Sequence, residues 1–270
     1  MARVRLDQLL TERGLARSRA EAQALILAGD VVLEGAASRR LKAGQLVESE
    51  AGISLVERPR WASRAGAKLE HALDSFRIDP AGLACLDAGA STGGFTDVLL
   101  SRGARVVFAV DVGRAQLIDR LRRDPRVVSM ERTNLRELRE LREPIDLATL
   151  DLSFIGLGAV LGAVRALLGP TGSVVALVKP QFEAGREAVP RGGVVRDPAV
   201  WRRVLEEVAE AAERAGLHAH RAIASPIAGG EGNVEFLADL RQGPAEPAAY
   251  SRSVAEAVAA AGSPRDEAGA

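Results

Sequence analysis

Apolar side chains at the front of the chain follow short helical and short extended patterns. Leucines within residues 6–10 recur at helical spacing, and the pattern stops at Gly14, a residue type that commonly ends a helix. Ser18 and Glu21 have the spacing of a capping box, which predicts the start of a second helix that ends at Gly29. Short β-type runs then predict a small sheet, and they lie at 31–33, 46–47 and 53–55.

Beyond residue 64 the pattern changes to apolar runs that alternate with amphipathic stretches. Such alternation predicts an α/β fold with a mostly parallel, doubly wound sheet of the Rossmann type. The predicted strands lie at 83–87, 106–111, 127–128, 145–151, 174–179, 220–225 and 233–240, and the predicted helices at 95–102, 115–121, 155–168 and 199–215. Because the end of the chain has almost no large apolar residues, we expect it to be disordered. The predicted organisation is a small α+β domain at 1–58, a linker at 59–64, an α/β domain at 65–241 and a tail at 242–270.

Composition limits the classes of protein to consider. The chain has 270 residues, of which 47% are hydrophobic and 27% are charged, and its formal net charge is zero. These values are typical of a globular protein, and they give no general attraction to nucleic acid or to membranes. The sequence has one cysteine, no signal-type start and no apolar run near the ~20 residues of a spanning helix. We therefore expect a cytoplasmic protein without a membrane partner, and the oligomeric state stays open.

The basic residues are almost all arginine. Of the 36 basic residues, only Lys42, Lys68 and Lys179 are lysine. Unlike a guanidinium, an ammonium can lose its proton and act as a base, so a retained lysine indicates chemistry. Lys179 ends the apolar run 174–179, at the edge where active-site groups of open α/β sheets project. The alternative is a compositional bias that spared a few lysines by chance.

Positive charge is concentrated in the small front domain. It lies near the starts of both helices and in a later turn, at Arg3, Arg5, Arg17, Arg19, Arg39, Arg40 and Lys42. Such side chains could follow a phosphate backbone, and a solvated helix face explains their charge equally well. The pattern R-L-D-x-L-L-x3-G-L-x2-S-R-x2-A-x3-I-x2-G-x-V, between Arg5 and Val31, resembles an S4 domain, a small RNA-binding module. The resemblance implies that these seven basic residues bind RNA.

A glycine-rich loop between the first strand and the first helix of the α/β domain is compatible with three chemistries. Its G-x-S-x-G segment, with Ser91 at the centre, is the nucleophile pattern of serine hydrolases. It half satisfies the dinucleotide fingerprint, because Ser91 stands where a pyrophosphate needs a second glycine. It also matches the D-x-G-x3-G loop of S-adenosylmethionine methyltransferases. The candidate cofactor-binding residues of this loop are Asp87, Gly89, Ser91, Gly93, Gly94 and Phe95.

Two later residues favour an adenosyl cofactor. Asp111 closes the second strand, where an acid accepts hydrogen bonds from ribose hydroxyls, and Asn134 could read the adenine edge. Neither residue separates NAD from S-adenosylmethionine. A serine hydrolase would need a histidine after Ser91, and only His218 and His220 follow, near a late strand. With one cysteine in the chain, these histidines are too few for a metal site, so we expect none.

Four residues near the ends of predicted strands decide between these cofactors. They are Lys68 before the first strand, Asp151 and Lys179 at the ends of the fourth and fifth, and Glu235 in the last. Their order and contexts resemble the Lys-Asp-Lys-Glu tetrad of FtsJ-like ribose 2′-O-methyltransferases. An S4 domain fused to such a catalytic domain resembles the TlyA family of rRNA methyltransferases, which are often labelled hemolysins. The resemblance implies S-adenosylmethionine as the cofactor and ribosomal RNA or ribosomal subunits as the partner.

The resemblance implies methyl transfer to a ribose 2′-hydroxyl of ribosomal RNA, with cytidine as the nucleotide. In our hypothesis Lys179 is the base, Asp151 positions it together with the hydroxyl, and Lys68 and Glu235 complete the network. Partial burial and a second ammonium would disfavour the charged form of Lys179. Much of the acceleration would come from proximity and alignment.

Other interpretations stay open alongside this one. Phe154 or Phe182 could stack on a target base that is splayed out of its strand. A chain with a degraded site could act as an S4-anchored, rRNA-binding assembly factor with weak or no catalysis. The hemolysin label suggests a pore-forming protein, but the sequence has no spanning segment and no strongly amphipathic basic helix.

Overall fold

The computed structural model describes residues 3–28, 30–34, 41–55, 60–114, 116–185, 187–229 and 232–262. The chain forms two compact units, which are divided between Pro59 and Arg60. Of the predicted linker at 59–64, residues 60–64 belong to the second unit, and residue 59 lies outside the described residues. Trp61 and Ala62 pack against its core, and the Ala62 N–H donates to Asp97 Oδ2 at 2.8 Å. A backbone with such partners is held in place, so this stretch is part of the α/β unit.

Two helices and four short strands make up the described part of the first unit. The helices are α1 (Leu6–Glu12) and α2 (Arg19–Ala28), and the strands are β1 (Arg3–Arg5), β2 (Val31–Leu33), β3 (Leu46–Glu48) and β4 (Ile53–Leu55). The strands form two antiparallel pairs, β1 with β3 and β2 with β4. Leucines of α1 and the small or branched residues of α2 meet in a buried core, formed by Leu6, Leu9, Leu10, Ala22 and Ile26 among others.

The helix boundaries of this unit follow from the local signals in the sequence. Gly14 has a φ of +71°, a left-handed conformation that terminates α1 and that L-residues adopt at a cost. Ser18 Oγ accepts from the Glu21 N–H at 3.2 Å, and Glu21 Oε2 accepts from the Arg17 N–H at 2.7 Å. The predicted cap of α2 is thus confirmed, although the carboxylate reaches one residue further back than in a standard capping box.

The second unit is built on a seven-stranded sheet. Its strands are β5 (Ala84–Ala88), β6 (Val106–Val110), β7 (Val127–Met130), β8 (Ile145–Leu150), β9 (Leu168–Val178), β10 (His218–Ala224) and β11 (Phe236–Arg241). The strand order is β10-β11-β9-β8-β5-β6-β7, and the strands from β9 to β7 pair in parallel. Only β11 runs against its neighbours within the described sheet. This confirms the predicted mostly parallel, doubly wound fold.

Helices cover both faces of this sheet. They are α3 (Ala65–Phe76), α4 (Gly94–Ser101), α5 (Asp119–Arg122), α6 (Leu161–Leu167), α7 (Pro180–Glu183), α8 (Pro198–Arg214) and α9 (Pro247–Gly262). Neighbouring residues of one strand face opposite sides, so Cys85 packs with α3 and α4 while Leu86 packs with α6 and α8. The parallel strands are therefore buried on both faces and read as continuous apolar runs.

Two predicted helices are shorter than expected. The Gly-rich stretch 155–168 forms a 3-10 turn (Leu157–Ala159) followed by α6, because glycines there weaken a continuous helix. The stretch 115–121 forms a helix only from Asp119 to Arg122, beginning after an extended Ile118. Helix α3, which carries Lys68, was not predicted.

The expected disordered tail is wrong for residues 247–262, which form helix α9. Its buried positions follow helical spacing but are mostly small: Tyr250, Ser253, Val254, Ala257, Val258 and Ala261. Ser253 Oγ accepts from the Ala222 N–H of β10 at 3.0 Å, and the Tyr250 hydroxyl donates to the Leu205 carbonyl at 2.9 Å. Small side chains let a helix approach a sheet closely, so a segment without large apolar residues can still be buried.

Candidate active site

The glycine loop after β5 has its shape because two close approaches exclude side chains. Gly89 has a φ of +87°, and a Cβ there would lie 2.3 Å from the Asp151 carbonyl oxygen at the end of β8. Gly93 has a φ of +101°, and a Cβ there would lie 2.3 Å from Leu121 Cδ1 of α5. Contacts below 3 Å are not sterically possible, so these two glycines let the loop pack against β8 and α5. The first of them brings Asp151 to the loop.

Two of the predicted cofactor residues lie under the loop rather than on its surface. Asp87 is fully buried, and its Oδ2 accepts from the Thr96 N–H at 2.8 Å and from Thr96 Oγ1 at 2.6 Å. Burial raises the pKa of Asp87 to about 7, and the two Thr96 bonds partly offset this effect. Phe95, the second residue of α4, is also buried, in the core that α4 shares with α3. Both residues fix the start of α4, and thereby the loop, and neither lines the cavity above it.

A cavity of about 510 Å³ opens above the ends of β5, β6 and β8. The loop residues Gly89 and Ser91 form one side, together with Asp111 at the end of β6. Asp111 Oδ2 accepts from the Ser91 N–H at 2.8 Å and Oδ1 from the Gly113 N–H at 2.6 Å, so the carboxylate is held at the rim. The opposite walls are largely apolar and come from Val112, Leu135, Leu152, Ile155 and Val160. Apolar walls with the fixed carboxylate of Asp111 suit a nucleoside, whose base and sugar hydroxyls need these partners.

Asn134 lines the same cavity, but its amide is used locally. Its Nδ2 donates to Glu137 Oε1 at 2.7 Å, and its Oδ1 accepts from the Arg136 N–H at 3.1 Å. The expectation that Asn134 reads an adenine edge stays a prediction. Gly94 does not line the cavity, and a Cβ on it would lie 2.3 Å from Ser63 Oγ, so its role is to let residues 63–66 approach α4.

The four tetrad residues form two ion pairs. Lys179 Nζ lies 2.6 Å from Asp151 Oδ1, and it donates to Ser153 Oγ at 3.2 Å. Lys68 Nζ on α3 pairs with Glu235 Oε2, and both side chains are buried. The pairs lie at one edge of the sheet because Phe236 of β11 is opposite Val178 of β9. The next step of that antiparallel register sets Glu235 opposite Lys179.

An exposed aromatic pair stands beside the Lys179–Asp151 pair. Phe154 is 90% exposed and has a φ of +64°, which is strained for a bulky residue. Its ring centroid lies 5.1 Å from that of Phe182, and Lys179 Nζ lies 5.9 Å from the Phe182 centroid. An exposed large aromatic side chain held in strained backbone indicates function more than packing. The expectation that one of these rings stacks on a target base stays a prediction.

The arrangement is incompatible with a serine hydrolase. Ser91 follows β5, whereas His218 and His220 lie on β10 at the far edge of the sheet. Three strands, β8, β9 and β11, separate β5 from β10, which corresponds to roughly 19 Å at the usual strand spacing. A nucleophile and its base must be within hydrogen-bond reach, so these residues cannot act together.

The basic residues of the first unit differ in their surroundings. Arg3, Arg17 and Lys42 are exposed, whereas Arg5 and Arg19 both form ion pairs with the buried Asp7. Arg39 and Arg40 lie outside the described residues.

Comparisons with known proteins agree with this geometry. Residues 61–242 match the family model of FtsJ-like methyltransferases, and residues 4–47 match that of the S4 domain. The 16S/23S rRNA (cytidine-2′-O)-methyltransferase TlyA of Mycobacterium tuberculosis is 46% identical over 243 residues, which cover 88% of this chain and 90% of that protein. The chain belongs to the TlyA family of FtsJ-like methyltransferases.

Other TlyA-family relatives carry the hemolysin name. Hemolysin A of Brachyspira hyodysenteriae is 38% identical over 238 residues, which cover 87% of this chain and 98% of the relative. The solved structure of a Streptococcus thermophilus protein, provisionally named a hemolysin, superposes with a TM-score of 0.73 at 41% identity, covering 97% of this chain and 96% of that one. Within the described residues, no helix has the length and apolar character needed to cross a bilayer.

A TlyA-family protein uses S-adenosylmethionine, and the cavity fits this cofactor. Asp111 would accept from the ribose hydroxyls, the apolar walls would hold the adenine, and the loop at Gly89 and Ser91 would face the amino-acid end. Sequence reasoning missed Ser153, which bonds to Lys179, and Gln116 and Thr133, which line the cavity. Ser153 could have been found because it follows Asp151 by two residues, whereas nothing local marks the other two.

Proposed function

We propose that this chain transfers a methyl group from S-adenosylmethionine to the 2′-hydroxyl of a cytidine ribose in ribosomal RNA. The observation that carries the proposal is the Lys179–Asp151 ion pair, 2.6 Å between Nζ and Oδ1, beside a cavity suited to a nucleoside. Two relatives named as rRNA cytidine-2′-O-methyltransferases are 46% and 34% identical to this chain, over 243 and 178 residues. We place the reaction in the cytoplasm, on the RNA of ribosomal subunits.

The chain's own residues prepare the attacking hydroxyl. S-adenosylmethionine, when bound, supplies a methyl group on a positively charged sulfur. The ribose 2′-oxygen forms the new bond to the methyl carbon, the carbon–sulfur bond breaks, and the hydroxyl proton passes to Lys179 Nζ. A lysine can take up a proton only as the free amine, and Asp151 stabilises the ammonium that forms. Ser153 Oγ, which lies 3.2 Å from Nζ, orients the amine.

The second ion pair keeps the charges around Lys179 in balance. Glu235 lies across from Lys179 in the strand register, and it is almost fully buried. Lys68 neutralises Glu235, so that Asp151 is the carboxylate that determines the position of the Lys179 amine. An unpaired buried carboxylate at this point would be costly, which explains why α3 brings a lysine to the sheet edge.

Methyl transfer can be measured with labelled S-adenosylmethionine and separated ribosomal subunits from a strain that lacks the protein, followed by digestion of the RNA to nucleosides. We expect label in 2′-O-methylcytidine with the unaltered chain. Lys179→Arg keeps the charge but cannot take a proton at neutral pH, so we expect turnover to fall about 10²–10⁴-fold. Binding of S-adenosylmethionine, measured by calorimetry on the same variant, serves as the control for an intact fold.

Two results would contradict the proposal at different points. Full turnover by Lys179→Arg would mean that Lys179 supplies charge and is not the base. If the unaltered chain binds S-adenosylmethionine but labels neither subunit nor free rRNA, it is not a ribosomal RNA methyltransferase. In that case the assembly-factor function, or another RNA substrate, would replace it.

A further inference from the structure

Helix α1 contains a buried carboxylate, which partly exposed arginine side chains cover. Asp7, the second residue of α1, is fully buried, in a turn whose neighbours Leu6, Leu9 and Leu10 form the core. Among the described residues, side chains donate four hydrogen bonds to its oxygens. Arg5 donates from Nε to Oδ1 at 3.0 Å and from Nη2 to Oδ2 at 2.9 Å, in the bidentate geometry of an arginine–carboxylate pair.

The same carboxylate collects two more donors from α2. Arg19 Nε donates to Oδ2 at 3.1 Å, and Gln23 Nε2 donates to Oδ2 at 2.9 Å. The pKa of Asp7 lies well below its usual range, and the largest cause is the hydrogen bond from the Arg5 guanidinium. Burial acts in the opposite direction, and the bonds from Gln23 and Arg19 lower the pKa further. The carboxylate is therefore charged at any physiological pH. It joins a residue that precedes α1 to two residues on α2.

The arginines themselves remain open to solvent. The side chain of Arg5 is 42% exposed and that of Arg19 is 55% exposed, whereas Asp7 is covered by them. The bonds to Asp7 use Nε and Nη2 of Arg5 and Nε of Arg19. Among the described residues no acceptor takes Nη1 of Arg5 or either Nη of Arg19, so these edges can donate to an external anion.

We propose that Asp7 is a positioning residue that combines Arg5 and Arg19 into one two-pronged site for RNA phosphate. Without the carboxylate, two guanidinium groups that meet at one oxygen would repel each other and swing apart. With it, the cluster keeps a net positive charge and presents two planar forks, which match phosphate oxygens. Fixing the side chains beforehand removes the entropy that two long arginines would lose on binding. This inference rests on the proposed function, in which the first unit binds ribosomal RNA.

A positioning role for Asp7 and an effect of charge alone predict opposite changes in RNA affinity when Asp7 is replaced. Asp7→Asn removes one negative charge from an RNA-binding face, so charge alone predicts tighter binding. Positioning predicts weaker binding, because the amide cannot hold both arginines. We expect the affinity for free rRNA to fall about tenfold, and the slope of log affinity against log salt to decrease by about one phosphate contact. In the transfer reaction, KM for rRNA should rise while kcat stays unchanged.

The matched control is Glu12→Gln. Glu12 is an exposed residue on the same helix, and its carboxylate accepts from Gln8 at 2.8 Å instead of from an arginine. This variant also removes one negative charge, and we expect its rRNA affinity to be equal to or slightly above that of the unaltered chain. Affinities would be measured by fluorescence anisotropy on the full chain over a series of KCl concentrations.

A second variant covers the case in which Asp7→Asn fails to fold. Arg5→Lys keeps the charge and loses the planar fork, so we expect it to weaken rRNA binding to a similar extent. If Asp7→Asn, or a folded Arg5→Lys, binds rRNA as tightly as the unaltered chain with the same salt slope, the inference is wrong. Failure of the proposed function itself would show separately, as absence of methyl transfer by the unaltered chain.

Discussion

The contact between Gly89 and Asp151 links the cofactor loop to the proposed catalytic pair, and one methyl group can test it. In Gly89→Ala the new Cβ would lie 2.3 Å from the Asp151 carbonyl oxygen. An ordinary contact needs more than 3 Å, so the loop and the end of β8 must separate by roughly 1 Å. Alanine must also adopt a φ of +87°, which costs about 1–2 kcal/mol.

Gly82→Ala is the matched control for backbone strain. Gly82 has a φ of +75° in the turn before β5, and no atom lies within 4 Å of the position of its added Cβ. We expect Gly82→Ala to lower the free energy of unfolding by about 1 kcal/mol through the backbone alone. Gly89→Ala should lower it by about 3 kcal/mol, because the displacement of β8 adds to the same strain. Urea unfolding of both variants would give these values.

The two variants should differ more in activity than in stability. A shift of about 1 Å moves Asp151 away from Lys179, and a misplacement of this size costs about 10²-fold in turnover. We therefore expect Gly89→Ala to lose about 10²-fold in kcat at saturating S-adenosylmethionine and rRNA, while Gly82→Ala keeps its kcat. If Gly89→Ala has the stability of Gly82→Ala and full kcat, the loop does not determine the position of Asp151.

Two further predictions concern the fold of the second unit. Burial raises the pKa of Asp87 to about 7, so the folded protein retains a proton that the unfolded chain releases near pH 4. Retention of this proton stabilises the folded state at low pH, and the stabilisation is lost as the pH rises toward 7. In urea unfolding, the free energy of unfolding of Asp87→Asn minus that of the unaltered chain should therefore rise by about 3 kcal/mol between pH 5 and pH 8. A difference that does not change with pH would contradict the raised pKa. Val254→Asp places a charge at a buried position of α9 and should cost about 3 kcal/mol, whereas Ala255→Asp, one residue further on and exposed, should cost little. Equal thermal stability of these two variants would mean that α9 does not pack on the sheet.

The sequence alone was sufficient for the fold class and for the prediction that Asp151 and Lys179 lie at the same edge of the sheet. Parallel strands that are buried on both faces read as apolar runs, and polar residues directly after such runs must lie at one edge of the sheet. Lys179 and Asp151 could be placed together by this rule, because each closes a strand. The capping pair Ser18 and Glu21 is equally local, since three residues of spacing determine its hydrogen bond.

Tertiary structure decided which partner each charged residue has. Lys68 and Glu235 are separated by 167 positions, and only the packing of α3 against the sheet edge brings them together. The same holds for Asp87, which a motif suggests as a ligand residue and which burial turns into an anchor for Thr96. Helix α9 has few large apolar residues, so the sequence did not predict it. Its small side chains are buried only because the fold places them against β10. Spacing along the chain predicts which residues share a face, whereas burial and ion pairing depend on the surface that another element brings against that face.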